Sequence, residues 1–494
     1  MSVQVLADGS CALDEIPRRR PEEFHAAVAA ACQTGARLAA LPVIESRGER
    51  QLLAVLAQDA SRNVQLVKMT IPADGRYPAL TAQLPQAQAF EREVAEEHGL
   101  VPEGHPWCKP LRRHADLEMP GTPDPHPFFR VEGESVHEVA VGPVHAGIIE
   151  PGHFRFQCSG ETVHHLEIQL GYQRRGAEKL LLASSPARRM AVAESVAGDT
   201  AIGHGLAHVT VMEKLAGVEP PLAAQILRAI ALELERIDSH TGDLGALSSD
   251  VGYQPGAAWY GRLRGDFLNL LVELTGNRFG RGLLVPGGVR FDLPASERAG
   301  FLARFEAAAT DFERIADVIF DAPAVVSRFE GTGRLDKATA DALGLVGPVG
   351  RACGLDRDAR RDHPEGIYRF APIPVALRDS GDVMARAELR RAEVGNSAAF
   401  VQAQVAALTS GQLAVELPSR LRSSCVAVAM VEGWRGEIVH VATTSDEGQL
   451  SSYKIVDPSF HNWFGLAMAL RGGQISDFPL CNKSFNLSYA GHDL

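Results

Sequence analysis

No C-x-x-C pair occurs anywhere in the 494 residues, and the seven cysteines (Cys11, Cys32, Cys108, Cys158, Cys353, Cys425, Cys481) stand far apart. An odd, scattered set argues against a disulfide framework and for reduced thiols in the cytosol. A surplus of basic charge is also missing: 49 Lys and Arg face 61 Asp and Glu, a formal net charge of -12. That balance excludes the positive footprint of a general nucleic-acid binder. No apolar run reaches the roughly 18 residues that a membrane span needs. The opening M-S-V-Q-V-L-A-D-G-S-C has neither a basic nor an apolar leader segment, so neither a signal peptide nor a transmembrane segment is expected. Aromatic residues make up only 6% of the chain, which leaves close packing to Ala and Gly.

What is present divides into regions. Up to about residue 118, the helical pattern of Pro21 to Thr34 alternates with β-branched and aliphatic stretches at Leu38 to Ile44, Gln51 to Leu56 and Val64 to Ile71. Gln86 to Glu97 is helical in composition, with its acids expected to face water. The economical reading is a small α/β domain over 1–118. A proline-rich linker follows at 119–130, since proline removes donors and fixes φ. The domain at 131–494 opens with strands, at Val139 to Ile149 and Phe154 to Gln157, and then turns helical. Helices are predicted at Ala187 to Leu215, Leu222 to Leu247, Leu263 to Phe279 and Ala295 to Phe320, with the last one at Asn462 to Arg471. Leu222, Ile226, Ile230 and Leu234 fall at four-residue spacing and can line one face. Val426 to Val431 and Gly436 to Thr443 read as strands. Gly344 to Gly354 is glycine-rich but lacks the flanking strand and helix of a dinucleotide site.

Several of these segments together resemble one superfamily. Glu161 to Leu181 (E-T-V-H-H-L-E-I-Q-L-G-Y-Q-R-R-G-A-E-K-L-L) is similar to the opening of the catalytic domain in energy-converting NiFe hydrogenases and in the quinone-site subunit of respiratory complex I. Gly142 to Phe154, Gly347 to Asp358, Gly381 to Arg386 and Glu432 to Glu437 (E-G-W-R-G-E) match further motifs of the same families. Phe90 to Leu111 resembles the accessory subunit of complex I, and fusion in this order points to the hydrogenase-4 and formate hydrogenlyase type of large subunit. The resemblance implies an α+β fold: a small N-terminal α/β domain, then a mainly helical hydrogenase-large-subunit-like domain with small peripheral sheets.

In such hydrogenases two C-x-x-C pairs grip the NiFe centre. Read onto this chain, those slots hold Ala197 and Thr200, then Ser459 and Asn462. Ala197 supplies no donor and the others only hard neutral groups, so no metal is expected. Asp199, His204, His208, Asp457 and His461 are expected to fill the space as a hydrogen-bonded polar plug. The resemblance gives Glu178 a proton-relay role, with an ion pair to Arg174, Arg175 or a distant arginine as its alternative. Arg435 is expected to pair with Glu178 or Asp457, and Trp434 to close the cavity. His145 falls where the quinone-site subunit carries a histidine for the quinone headgroup. Glu233, Glu235 and Asp238 could belong to charge paths towards a membrane partner, with the solvated face of their helix as the ordinary reading.

The function implied is that of a peripheral subunit of a membrane-bound, redox-driven ion-translocating complex. It would lie on the cytoplasmic face of the inner membrane and act as scaffold or coupling subunit. Its partners would be an iron–sulfur small subunit, which holds the cluster, and a membrane arm of antiporter-like subunits. One alternative is reduction of a quinone or other small acceptor. Another is an active NiFe hydrogenase, which the missing thiolates oppose. Hydrogenase large subunits lose a C-terminal extension after nickel insertion; here the tail is expected to stay attached.

Overall fold

The structure, a computed structural model, describes residues 3–6, 9–46, 48–112, 128–145 and 149–494. Residues 119–127 of the expected proline-rich linker lie outside the described residues, and 128–130 carry no regular structure.

Strands Gln4–Leu6, Asn63–Thr70, Glu49–Gln58 and Arg37–Ala40 form one sheet in that order. Val43–Ser46 adds antiparallel to Glu49–Gln58, and Arg18–Arg19 parallel to Asn63–Thr70. The stretch expected as one strand at Leu38 to Ile44 is two, divided at Leu41 and Pro42, because proline has no N–H for the ladder. Helix Pro21–Gln33 begins with proline in its first turn, where the missing N–H costs nothing, and buries Phe24 and Val28. Helix Gln88–His98 departs from expectation: Glu91, Glu93 and Glu96 are buried, not solvated. Each accepts fixed hydrogen bonds there, Glu91 from the Leu80 and Thr81 amides and Glu96 from those of Leu111 and Arg112.

A second sheet runs Leu450–Val456, Gly436–Thr444, Cys425–Gly433 and Ser10–Ala12. Its edge strand therefore comes from the opposite end of the sequence, with Cys425 opposite Ala12 and Ala427 opposite Ser10. Val426, Val428, Val439, Val441 and Val456 share one apolar cluster with Leu38, Leu52, Leu66 and Phe90. The first hundred residues thus complete their core on strands from beyond residue 424.

The largest apolar cluster is helical. Leu222–Asp250, 29 residues long, packs on Gln254–Thr275 and Val383–Ala407, and Ala295–Phe320 packs on those two in turn. Ile226, Ile230 and Leu234 face this core, whereas Leu222 sits exposed in the first turn. The helix expected at Leu263 to Phe279 starts at Gln254 and stops where Gly276 takes φ 73°, which an L side chain resists. Ala187 to Leu215 is not one helix but two, Pro186–Ala193 and Ala201–Ala216, separated by a non-helical segment. The strand predicted at Val139 to Ile149 is Val136–Val141, ended by Gly142 at φ 82° and by Pro143; 146–148 lie outside the described residues. The helix expected at Asn462 to Arg471 is Pro458–Ala469, begun by the Asp457 carboxylate accepting from the Ser459 amide, and two more follow it, Phe478–Phe485 and Tyr489–Asp493. No helix among the described residues is long and apolar enough to cross a membrane.

Candidate functional site

The break between the two helices that share Ala187 to Leu215 is the floor of the site. Arg175 donates to the carbonyls of Ser195 and Val196, and Glu235 caps the next helix by accepting from the Ile202 and Gly203 amides. A carboxylate at a helix N-terminus meets both free N–H groups and the positive end of the dipole. The turn so fixed presents Asp199 and Thr200, with Ala197 wholly buried.

Arg435 reaches this turn from the hairpin joining Cys425–Gly433 to Gly436–Thr444. The hairpin tip lies against Gly347: a Cβ on Gly436, whose φ is 133°, would stand 2.8 Å from the Gly347 Cα. Backbone against backbone, the tip sets Arg435 so that Nη1 lies 2.6 Å from Asp199 Oδ1 and Nη2 2.8 Å from Oδ2, a bidentate pair. Nη1 also donates to Thr200 Oγ1 at 3.2 Å, and Nε to the Asn486 carbonyl. Trp434 stacks its ring 3.8 Å from the guanidinium and donates to the Asp199 carbonyl, so it closes the site. Arg435 therefore pairs with Asp199, not with Glu178 or Asp457 as expected from sequence, because the hairpin aims it at the helix break. The Asp199 carboxyl is held low: burial would raise it, and Arg435 outweighs burial.

The other slots separate. Ser459 accepts from the Ser488 amide at 2.8 Å, while Asp457 Oδ2 meets His204 Nε2 at 2.9 Å. Asn462 points elsewhere, its amide bonded to both the N–H and the carbonyl of Val346. It clamps the loop under the hairpin tip instead of facing Thr200. His461 packs against Phe90, ring centres 5.4 Å apart, and does not bond to Asp457. In place of Asn462 the structure brings the tail: the Asn486 carbonyl on Arg435, Ser488 on Ser459, the Tyr489 amide on Glu150, and Gly491 against Asp457. Nothing in the sequence singled out Ser488 or Gly491; the folded path of the tail brings them here. A Cβ on Gly491 would stand 2.5 Å from the Asp457 carboxyl carbon. Gly491→Ala is accordingly expected to cost about 1–3 kcal/mol of overpacking, read as a lowered thermal midpoint; an unchanged midpoint would show that the tail is loose there.

Glu178 makes its ion pair with Lys454, 3.0 Å away, not with Arg174 or Arg175. Arg174 binds Glu97, and Arg175 is taken up by the helix break. Lys454 also holds Glu93 at 2.7 Å, and Glu93 in turn holds Arg112. Burial raises the Glu178 carboxyl, Lys454 opposes, and Glu97 and Glu93 push it further up. His145 lies apart, its ring centre 6.3 Å from that of Phe154, with Nε2 buried and no hydrogen-bond partner among the described residues.

Glu233, Glu235 and Asp238 are buried, contrary to the solvated face expected. Glu233 accepts from Arg236, Arg360, Tyr368 and Ser397. Around it Arg236, Arg351 and Arg360 meet Glu233, Asp358, Glu393 and Glu432. Three guanidiniums face four carboxyls, and the odd one, Glu432, is pushed up to about 7 by burial and by Asp358.

Titration of such groups carries a sign. Glu93 and Glu233 are held down at about 2, against the burial that would raise them, by Lys454 with Arg112 and by Arg236 with Arg360. Carboxylates lowered in the fold contribute stability that is lost as pH falls below their unfolded range of about 4.5. Burial lowers His208 and His461 to about 3, so their neutral forms stabilise the fold above about 6.5 and that contribution is lost toward 3. Glu432, raised by burial to about 7, works the other way between about 4.5 and 7, and Glu235 and Asp238, which burial also raises, act in the same sense. The thermal midpoint is therefore expected to change little from pH 7 to 4.5 and to fall steeply below it. A midpoint at pH 3 matching that at pH 6 would contradict these assignments.

The residues present do not fit a NiFe centre. Ala197 has no donor, the Thr200 and Ser459 hydroxyls are already engaged, Asn462 faces Val346, and no cysteine occupies any of the four positions. Among the described residues no group of three or more His, Cys, Asp or Glu is placed to hold a metal ion. A cavity of about 750 Å³ lies elsewhere, against Lys214, Arg228, His363, Tyr368 and Met430; neither His145 nor Glu178 lines it.

Two family profiles match the chain: "Respiratory-chain NADH dehydrogenase, 30 Kd subunit" over residues 20–127 and "Respiratory-chain NADH dehydrogenase, 49 Kd subunit" over 250–425. Formate hydrogenlyase subunit 5 of Escherichia coli (strain K12) is 31% identical over 441 residues, spanning 84% of this chain and 77% of that one. Hydrogenase-4 component G of the same organism is 29% identical over 481 residues, spanning 92% and 83%. A solved chain from the membrane-bound sulfane sulfur reductase, an archaeal respiratory membrane complex, shares the fold, with a TM-score of 0.68 and 24% identity over 73% of this chain and 99% of that one.

Proposed function

Because the chain belongs to the family of membrane-bound hydrogenase and complex I-type subunits, with 30 Kd and 49 Kd segments fused in one polypeptide, we propose that it is a scaffold or coupling subunit that works without a NiFe centre. The observation that carries this is the closed pairing of Arg435 with Asp199, Thr200 and Asn486 where a metal cluster would need thiolates. Four of the guanidinium's five N–H donors are engaged by protein groups, and its charge is balanced by a carboxylate. Glu178, between Lys454 and the Glu93–Arg112 pair, is suited to respond to charge at the adjoining surface. The partners are an iron–sulfur small subunit, which holds the electron-carrying cluster, and a membrane arm of antiporter-like subunits. The chain sits peripherally on the cytoplasmic face of the inner membrane.

Elemental analysis of the affinity-purified complex tests this. Iron is expected from the partner's cluster and nickel below about a tenth of an atom per chain; stoichiometric nickel would refute the reading. A second reading, reduction of a quinone or similar small acceptor, is favoured by the unpartnered, buried His145 Nε2. A short-chain ubiquinone added to the complex would then shift the His145 ring resonances, and unmoved resonances would remove that reading.

A further inference from the structure

Five titratable groups stand in single file through the interior. Asp457 Oδ2 is 2.9 Å from His204 Nε2, His204 Nδ1 is 3.2 Å from His440 Nε2, His440 Nδ1 is 2.9 Å from the Tyr453 hydroxyl, and that hydroxyl is 2.8 Å from His208 Nδ1. All five are buried. Ala201–Ala216 supplies His204 and His208 one turn apart on the face it lays against the sheet. Gly436–Thr444 supplies His440, and Leu450–Val456 supplies Tyr453, diagonal to it across the ladder. Asp457 begins the helix that follows.

With its three imidazoles neutral, the file admits one arrangement of protons. Burial would raise Asp457, but the His204 bond and Arg435 outweigh it, so the carboxylate is ionised and can only accept. His204 therefore carries its proton on Nε2 and accepts at Nδ1. His440 then donates from Nε2 and accepts at Nδ1 from the Tyr453 O–H, whose oxygen accepts from the Nδ1–H of His208. Each neutral imidazole has one donor and one acceptor, and each is used. Every hydrogen bond points toward Asp457.

We propose that this file is a proton wire joining Asp457, beside the Asp199–Arg435 pair, to the His208 end beneath helix Pro186–Ala193. A proton taken up at His208 Nε2 releases the Nδ1 proton to the Tyr453 oxygen. The tyrosine gives its own proton to His440 Nδ1, His440 passes its Nε2 proton to His204 Nδ1, and His204 passes its Nε2 proton to Asp457 Oδ2. One proton enters, one arrives, and each intermediate group ends with the number it began with. Burial together with Arg189 lowers His208 to about 3, and burial with its histidine neighbours lowers His440 well below its usual range. No imidazolium is stored between them, so transfer runs in concert. Use of the wire in ion translocation rests on the coupling role proposed above; its existence is a property of this chain alone.

Two measurements separate these. In the full chain labelled with nitrogen-15 histidine near pH 7, with signals assigned by single His→Gln variants, long-range proton–nitrogen spectra should show His204 and His440 as Nε2–H tautomers and His208 as the Nδ1–H tautomer. Tyr453→Phe keeps the ring and removes the shuttle; it should release His208 and His440 into mixed tautomers while His204 stays fixed by Asp457. A charged imidazole at any of the three positions, a Nε2–H His208, or ring signals unmoved in the variant would overturn the wire. In vesicles carrying the complete complex and driven by a reduced viologen dye, Tyr453→Phe should lower proton movement at least tenfold with assembly unchanged, and proton movement equal to wild type would also overturn it. A wild-type complex that moves no protons would count against the coupling role instead, and the tautomers then decide the wire.

Discussion

Replacing Arg351 with methionine is expected to lower the thermal unfolding midpoint by roughly 3–5 °C, the result of losing about 3–5 kcal/mol. Arg351 is fully buried and holds Glu393 at 2.7 Å and Glu432 at 2.7 Å, with Asp358 at 3.5 Å. Methionine fills comparable volume, so the loss is one of charge, not of packing. It leaves Arg236 and Arg360 facing four carboxyls in a place water does not reach. Removing one partner of a buried pair costs more than the pair was worth, because the abandoned charge cannot be resolvated. The cluster also indicates its own remedy: Glu432 is already the odd carboxyl, so adding Glu432→Gln should recover part of the loss as a coupling between neighbouring sites. The comparison is Arg378→Met, whose partner Glu388 is about as exposed as Arg378 itself; a surface pair of this kind is worth about 0–1 kcal/mol. A buried-site variant melting with the surface variant would sink the account.

Truncation after Phe485 is expected to yield a chain that aggregates or is cleaved on expression. The nine residues removed include Leu487, Tyr489 and Leu494, each only 5% exposed. At about 1.5–3 kcal/mol for each large buried side chain, the loss reaches about 5–9 kcal/mol as an upper bound, comparable to the whole stability of many domains. Polar ties go with them: Arg112 loses the His492 carbonyl, the Gln173 amide loses the Asp493 carboxylate, and Ser459 loses the Ser488 amide. Soluble yield and thermal midpoint are the measures; a truncated chain melting within about 2 °C of the full one would show that the tail only decorates the site. Residues 486–494 are here part of the wall of the site.

The sequence was informative where a local cause acts alone. Pro21 opened a helix, Gly276 closed one, and β-branched and aliphatic residues in Asn63–Thr70 made a strand, as the residues themselves dictate. It was uninformative where a distant partner decides. Glu91, Glu93, Glu96, Glu233 and Glu235 have the composition of solvated helix faces, and they are buried because amides and arginines from far along the chain receive them. The candidate site divides the same way. Asp199, Thr200, Trp434 and Arg435 came together because two short turns fix them, and the motif E-G-W-R-G-E was legible. Asn462 keeps the spacing to Ser459 of a ligand pair while its side chain serves Val346, a partner that spacing cannot reveal. The tail's Asn486, Ser488 and Gly491 carry no chemical signature of their own, and only the folded path brings them to Arg435 and Asp457.

The three-residue strand Ser10–Ala12, paired with Cys425, Val426 and Ala427, also constrains time. On the ribosome the first hundred residues emerge long before their last strand-partners are made, so their apolar face must wait, partly uncovered, until nearly the whole polypeptide has left the exit tunnel. Closing a loop of some four hundred residues adds little equilibrium cost, because the entropy grows only with the logarithm of length. It does make the pairing among the most non-local in the molecule, and non-local pairings form late. A cell that made the two segments as separate polypeptides would have to rejoin that edge strand between molecules; a single reading frame makes the closure intramolecular, and its success independent of how much of the protein is present.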